Sequence, residues 1–130
     1  MRSVNELPGM GFQNEGDSWV KALAPLTVVA EGDPVEYRAV VWPEAPSGTW
    51  DRLYIYLTYP GVDDEPWFGF NEAGASVDRG GNLQAVVDAI HAGKEDDDTL
   101  TAEDLSMMSA QTYHDLTANA EQAAGSILAG

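Results

Sequence analysis

The chain has 130 residues, no cysteine, and 22 Asp and Glu against 6 Lys and Arg, which gives a formal net charge of −16 at pH 7. This length suits one domain that buries its own core, the missing cysteines exclude disulfides and thiolate chemistry, and the acidity excludes direct nucleic-acid binding through a basic patch. Because there is no long apolar run and no signal-peptide pattern at the N-terminus, we expect a soluble protein, cytoplasmic or in a virion, without membrane contact.

The negative charge is the one global feature outside the ordinary range, since a small soluble domain usually carries a net charge of about 2 to 8 in magnitude. Adaptation to high salt, imitation of a nucleic acid and attraction to a basic partner are three explanations. At about 1 M salt the Debye length falls to about 3 Å, which screens most of the self-repulsion of an acidic domain. The chain also has only two lysines, Lys21 and Lys94. This composition resembles that of proteins from extremely halophilic archaea and their viruses, so we favour high salt as the explanation.

Residues 1–16 are predicted to form an irregular N-terminal arm, because Pro8 and several glycines interrupt any regular period. Residues 17–130 are predicted to form a single α+β domain, with its sheet in residues 26–80. The arm would dock on this sheet or on a neighbouring subunit through four spaced apolar side chains. These are Val4, Leu7, Met10 and Phe12.

The segment after the arm combines a helix signal with a strand signal. Asp17 or Ser18 could cap a short helix that Pro25 would end, because the residue before a proline disfavours helical geometry. Residues 26–30 are mainly apolar and β-branched, which predicts a strand. Residues 31–34 then form a turn into the next element.

The central predicted element is a β-hairpin over residues 35–60, which holds the densest run of strand-forming residues. In each arm alternate residues share a face, at the period of two that a pleated strand imposes. One face is mainly aliphatic and consists of Val35, Tyr37, Ala39, Val41, Leu53, Ile55, Leu57 and Tyr59. Further strands at residues 67–70 and near 76–78 complete an antiparallel sheet of about four strands.

Two C-terminal helices are predicted to pack on this sheet. The first covers residues 83–92, where apolar residues recur at the spacing of one helical stripe and Gly93 follows as a left-handed terminator. The second covers residues 102–128 and begins with a capping signal, with Thr101 as N-cap and Asp104 at the third helical position.

The second predicted helix is unusually long for a domain of this size. If it is unbroken it runs about 40 Å, so it spans the domain, breaks near Gly125 or reaches another chain. Its C-terminal half is rich in alanine and ends in apolar residues, which favours packing on its own sheet or, alternatively, a subunit contact. The candidate contact residues are Leu116, Ile127 and Leu128.

Aromatic residues of the hairpin form the other candidate interface. Tyr54 and Tyr56 lie on the face opposite the aliphatic residues, and Trp42 and Trp50 flank the turn. Rings with polar tips anchor many protein interfaces. If the helices cover this face, the same rings are core residues, and the rule that a sheet buries one face under helices favours the core interpretation.

No motif for catalysis, metal binding or cofactor binding is present. His91, His114 and Asp115 lack a nucleophile at a recognisable spacing, and the common catalytic and phosphate-binding motifs are absent. Two acidic clusters lack the ligand spacing of a calcium loop, so we interpret them as solvated surface. Their members are Asp63, Asp64, Glu65, Glu95, Asp96, Asp97, Asp98 and Glu103. We therefore expect no enzyme activity, no catalytic residue, no metal and no cofactor.

These observations predict a non-enzymatic, acidic protein-interaction subunit of a homo- or hetero-oligomer. We favour a structural component of a virion or similar assembly from a halophilic host. One alternative is an acidic nucleic-acid mimic that inhibits a basic host enzyme, as anti-restriction and anti-CRISPR proteins can. A second alternative is a cellular adaptor domain. Mimicry predicts carboxylates gathered on one face, whereas adaptation to salt predicts carboxylates spread around the surface.

Overall fold

The computed structural model describes residues 2–30, 32–44, 47–63 and 65–129. These residues form eight strands and two helices, which confirms the predicted α+β class. The strands are β1 (Arg2–Ser3), β2 (Gln13–Asn14), β3 (Trp19–Ala22), β4 (Glu36–Val41), β5 (Thr49–Trp50), β6 (Arg52–Thr58), β7 (Trp67–Asn71) and β8 (Ser76–Arg79). The helices are α1 (Leu83–Ile90) and α2 (Ala102–Ala129), and single 3-10 turns lie at Val4–Glu6, Pro8–Met10 and Lys94–Asp96.

Six strands form one antiparallel sheet in the order β2-β3-β4-β6-β7-β8, and β1 pairs with β5 in a separate two-stranded sheet. The predicted hairpin is confirmed as β4 paired with β6, in a register that places Ala39 across from Ile55. Strands β7 and β8 confirm the extended segments predicted after the hairpin. The sheet has more strands than predicted, mainly because β2 and β3 extend it beyond β4.

The short helix predicted after Asp17 is wrong. Trp19–Ala22 is strand β3, which pairs with β4 and places Val20 across from Val40. So short a segment gains little from helical hydrogen bonds, whereas the free edge of β4 offers a ready backbone ladder. Tertiary pairing therefore overrides the local capping signal.

The strand predicted for residues 26–30 is reduced to a single bridge between Leu26 and Val35. The chain reverses just after it, because the Gly32 N–H donates to the Val29 carbonyl at 2.9 Å and closes a turn. Residues 26–30 therefore form a loop beside the sheet and not a further strand.

The N-terminal arm packs on the chain's own core, one of the two placements predicted for it. Leu7 and Phe12 are buried in that core, and the arm contains short strands and 3-10 turns. Arg2 joins the arm to the far end of the chain, because its guanidinium donates to the Leu128 carbonyl at 3.0 Å. The same guanidinium lies 5.1 Å from the centre of the Trp50 ring. The two ends of the chain therefore stabilise each other.

Both predicted helices are present, although α1 ends two residues earlier than predicted, at Ile90. Gly93 follows with a φ of 87°, as expected of a left-handed terminator. The capping box of α2 is confirmed, because the Asp104 N–H donates to Thr101 Oγ1 and the Thr101 N–H donates to Asp104 Oδ2, both at 3.0 Å. The helix then continues through Gly125 for 28 residues, which is about 42 Å.

The two helices cover one face of the six-stranded sheet. The buried sheet residues are Tyr37, Ala39, Val41, Leu53, Ile55, Leu57, Phe68 and Phe70, and the helices contribute Leu83, Val86, Val87, Leu116, Ala120, Ala124 and Ile127. The Tyr37 hydroxyl donates to the Leu116 carbonyl at 3.1 Å, and burial raises the pKa of Tyr37. The aliphatic face predicted for the hairpin is therefore confirmed as core.

Candidate interaction surface

The opposite face of the sheet carries four aromatic rings that lie outside the core cluster. Three belong to the hairpin region, Trp42, Tyr54 and Tyr56, and the fourth is Trp67 of β7. Trp42 is 45 % exposed, and the other three are half-buried. Even Val40, which is buried beside Tyr54 on this face, does not belong to the core cluster. We call these four rings the aromatic face.

Each ring of the aromatic face contacts two neighbours, so that the four form a closed circuit. The centroid of the Trp42 ring lies 5.4 Å from that of Tyr54 and 5.8 Å from that of Tyr56. The Trp67 centroid lies 5.4 Å from Tyr54 and 6.3 Å from Tyr56. The first three of these pairs are edge-to-face and the Tyr56–Trp67 pair is tilted. An edge-to-face pair is worth about 0.5–1.5 kcal/mol beyond its buried area. The rings therefore hold one another in place without a helix above them.

Two glycines make room for these rings. Gly69 lies across from Tyr54 in the sheet, and a Cβ atom there would come within 3.2 Å of the tyrosine ring. A Cβ atom on Gly80 would come within 2.7 Å of the Trp67 indole and within 1.7 Å of the Glu65 carbonyl oxygen. Glycine in or beside a strand often marks such a close approach. These two glycines therefore allow the rings of Tyr54 and Trp67 to lie close to the backbone.

The aromatic face also carries charged side chains. The Arg38 guanidinium lies 5.0 Å from the centre of the Tyr56 ring, and Arg52 is exposed at the other end of the same face. The strand register also places the carboxylates of Glu36 and Asp78 on this side. Arg38 Nη1 donates to Thr58 Oγ1 at 3.1 Å, so its charge lies near Glu36. The aromatic face therefore carries charges of both signs.

The structure corrects the core interpretation of the hairpin aromatics. Trp42, Tyr54 and Tyr56 lie on the face without helices, so that interpretation is wrong for these three. It is right for Trp50, which is 0 % exposed and whose indole N–H donates to a backbone carbonyl of the arm. The sequence analysis did not include Trp67, although its position directly across from Tyr56 follows from pairing the short strand with the hairpin.

The candidate contact residues near the C-terminus lie against the chain's own core. Leu116 and Ile127 are buried in it, and the half-buried Leu128 packs beside it. The apolar stripe of α2 is thus used within the chain, as expected of an amphipathic helix that covers a sheet.

The predicted acidic residues remain on the surface. Those exposed are Asp63, Glu65, Asp96, Asp97, Asp98 and Glu103, whereas Asp64 and the side chain of Glu95 lie outside the described residues. Asp97 accepts hydrogen bonds from the hydroxyl and N–H of Thr99, which lower the pKa of this carboxyl. This carboxylate therefore stabilises the turn ahead of α2. No Asp or Glu among the described residues is buried as a whole residue.

The two histidines do not share a site. His91 Nε2 lies 2.6 Å from Thr112 Oγ1, which joins the end of α1 to the middle of α2. Burial, and to a smaller extent the charge of Lys94, lowers the pKa of His91. His114 is exposed on α2. In the part of the chain that the structure describes, no three His, Asp or Glu side chains come together in a way that could hold a metal ion.

Comparison with protein-family models, with curated proteins and with solved structures gives no significant match. Within residues 2–30, 32–44, 47–63 and 65–129, no helix is both long and apolar enough to cross a lipid bilayer. The aromatic face is the candidate functional site of the described residues.

Proposed function

We propose that this chain is a non-enzymatic protein-interaction subunit that binds another protein subunit through the aromatic face. The observation that carries this proposal is that four partly exposed rings lie on one side of a sheet whose other side is packed under the two helices of the described residues. Trp, Tyr and Arg dominate binding energy at protein interfaces, and this face combines four such rings with Arg38 and Arg52. An antiparallel sheet that simply faces water carries polar side chains instead.

The face of the sheet suits this contact better than its edge. In the edge strand β8 the Arg79 N–H donates to Asp78 Oδ1 at 2.8 Å, so that backbone donor already has an acceptor. The register between β7 and β8 also shifts at Gly69 and Phe70, which bends the edge. Charges and irregularities of this kind discourage the addition of a partner strand.

The position of the carboxylates supports adaptation to high salt over mimicry of a nucleic acid. Exposed acidic side chains occur in loops around the sheet and on both helices, for example Glu15, Asp33, Glu72, Asp88 and Glu121. A mimic would gather its charges on one face, in imitation of the phosphate spacing of a nucleic acid. We propose that the subunit works in molar salt, in a virion or similar assembly, with the inhibitor and the cellular adaptor as alternatives.

We propose that the chain is not catalytic because the three side chains with shifted pKa values each have a structural role. Shifted pKa values often mark catalytic side chains, and here Tyr37, His91 and Asp97 have them. Each shift has a structural cause. Tyr37 is buried under α2, His91 is partly buried at the contact between α1 and α2, and Asp97 accepts hydrogen bonds within a turn. No hydrogen bond or ion pair found among the described residues joins these three groups.

Site-specific crosslinking in the cells that make the protein tests the proposed function. A benzoylphenylalanine in place of Trp42 is expected to give covalent adducts with a protein subunit. The matched control places the same group at His114, which is exposed on α2, and is expected to give far fewer adducts. Equal adduct yields at the two positions, or no adduct at either, would contradict the proposal.

A further inference from the structure

We propose that the occupant of the aromatic face is a basic protein, which places arginine or lysine side chains against the Trp42 ring. The inference rests on the proposed function and adds the chemistry of the partner. It depends on an exposed indole ring and on the carboxylates that surround it.

Trp42 has the most exposed ring of the aromatic face. It is 45 % exposed, whereas the other three rings are half-buried. Its contacts with Tyr54 and Tyr56 are edge-to-face, with angles of 65° and 75° between the ring planes. Among the described residues, guanidinium groups lie over four other rings and none lies over Trp42. Because indole attracts cations more strongly than the other aromatic side chains, this ring suits a cation from another protein.

The chain already holds guanidinium groups over its own rings, and one of them belongs to this face. The Arg38 guanidinium lies 5.0 Å from the centre of the Tyr56 ring, and that ring neighbours Trp42. Elsewhere Arg2 and Arg79 lie over rings in the same way. A cation over a ring contributes about 0.5–1 kcal/mol when exposed and about 2 kcal/mol when desolvated. A partner's arginine or lysine would therefore repeat a contact that this sheet already makes.

Two carboxylates lie at the end of the aromatic face that carries Arg38. Glu36 is across from Thr58, whose Oγ1 accepts a hydrogen bond from Arg38 Nη1 at 3.1 Å. A backbone hydrogen bond extends the pairing of β6 with β7 beyond Trp67, and the register then brings Glu65 across from Thr58. Glu36 and Glu65 are both exposed. The charge of Arg38 is therefore more than offset.

The other end of the face has a similar excess of carboxylates. Arg52 lines a cleft together with Asp51 and Glu72, and Asp78 lies across from Gly69 in the neighbouring strand. The four basic side chains of the chain that do not belong to this face are Arg2, Lys21, Arg79 and Lys94. Because five carboxylates accompany two guanidinium groups, the aromatic face and its rim attract positive charge.

A basic protein matches both the rings and the carboxylates of this surface. A second copy of the chain would bring a net charge of −16 to a negatively charged face, and a nucleic acid would be repelled in the same way. Molar salt screens the long-range attraction to a basic protein, but charges that become partly buried at a contact are screened much less. The contact can therefore persist in the salt in which we propose that the subunit works.

Titration of the full chain with an octa-arginine peptide, followed by NMR, tests the inference. The titration uses the lowest salt concentration at which circular dichroism shows a folded chain. The indole N–H signals of Trp42 and Trp67 are expected to shift, whereas that of the buried Trp50 should not. A peptide of glycine and serine of the same length is the control probe. Trp42→Ala is expected to weaken the binding of octa-arginine about fivefold or more, because the partner's cation loses its ring.

Two double variants separate this surface from the net charge of the chain. Glu36→Gln with Glu65→Gln removes two carboxylates beside the aromatic rings and is expected to weaken the binding of octa-arginine about tenfold. Glu103→Gln with Glu121→Gln changes the net charge equally at two exposed positions of α2 and is expected to weaken it less than about twofold. Circular dichroism of each variant confirms that the chain is folded.

Equal losses for the two double variants would overturn the inference, because the peptide would then bind to carboxylates in general. Shifts that leave out Trp42, or no binding of octa-arginine, would overturn it as well. Crosslinks from position 42 to a protein whose contact surface is not basic would overturn this inference and leave the proposed function intact. The absence of any crosslink from that position would contradict both.

Discussion

The two faces of the six-stranded sheet share the same strands and differ in what covers them. On β6, Leu53, Ile55 and Leu57 point towards the helices and are buried, whereas Tyr54 and Tyr56 between them point away and are half-exposed. The rule that helices cover a sheet requires one buried face but does not say which one. Here the helices pack on the face with aliphatic side chains. The face with polar-tipped rings remains available for contact.

The two faces also differ in how they are held together. The covered face depends on burial of apolar area by the arm and the helices, and its stability is shared among many side chains. The aromatic face depends on ring-to-ring contacts and on two glycines that let the rings lie close to the backbone. Substitutions on the covered face should therefore change the free energy of unfolding most, and those on the aromatic face should mainly change binding.

The largest expected effect comes from a matched pair of tryptophans, one on each side. Trp50→Ala is expected to lower the free energy of unfolding by about 3–5 kcal/mol, because it empties a fully buried site. Trp42→Ala is expected to lower it by about 1–2 kcal/mol, since this ring is 45 % exposed and loses mainly its two edge-to-face contacts. Urea denaturation at constant high salt measures both. Equal losses for the two variants would contradict the distinction between the faces.

The next largest effect concerns the backbone beneath Trp67. Gly80→Ala is expected to cost about 1–3 kcal/mol, because the new Cβ atom would overlap the Glu65 carbonyl oxygen and the indole. The near-UV circular dichroism of the tryptophans should change as well. Gly81→Ala is the matched control, as a Cβ atom there has no other atom within 4 Å. A similar loss for Gly80→Ala and Gly81→Ala would show that the ring does not need this glycine.

A smaller effect is expected at the start of the helix that covers the sheet. Thr101→Ala removes the N-cap acceptor of α2 and is expected to cost about 1 kcal/mol. Ser106→Ala, one turn later on the exposed side of the same helix, is expected to be neutral or slightly stabilising, because alanine is the better helix former. Thermal unfolding of the two variants in parallel checks this, and an unchanged midpoint for Thr101→Ala would contradict the role of the cap.

The smallest expected effect is a pH dependence at the contact between α1 and α2. Because the pKa of His91 is lower in the folded state than its usual value of about 6.5, the folded protein binds fewer protons than the unfolded chain. The contribution of His91 to the free energy of unfolding is fully present above about pH 6.5 and is lost as the pH falls through the folded-state pKa. His91→Gln should reduce the loss of stability between about pH 7 and pH 5. His114→Gln, at an exposed position of α2, is the control for the loss of a histidine elsewhere.

Much of this fold follows from local periodicity in the sequence. Alternation along the hairpin identifies the residues of the core face, and the helical spacing with Thr101 and Asp104 locates α2. The helix wrongly predicted after Asp17 shows the limit of such signals. Trp19–Ala22 follows a good capping residue and still forms a strand, because the neighbouring strand β4 supplies the hydrogen bonds.

Membership of the candidate site is harder to read from sequence than the fold. Tyr54 and Tyr56 can be placed on one face by counting, but whether helices cover that face depends on packing across the whole domain. Trp67 and Gly80 join the site only through strand pairing over long separations. That Arg38 and Arg52 share this face with Glu36 and Asp78 likewise becomes visible only once the strands are in register.

The sequence by itself determined the acidic surface, the α+β class, the central hairpin and the two C-terminal helices, because each depends on composition or on spacing between near neighbours. Only the tertiary structure decided which face of the sheet lies under the helices, that the arm packs on the chain's own core, and that four rings from separate segments meet. The physical reason is that burial is a property of the assembled domain, whereas periodicity states only which side chains share a face.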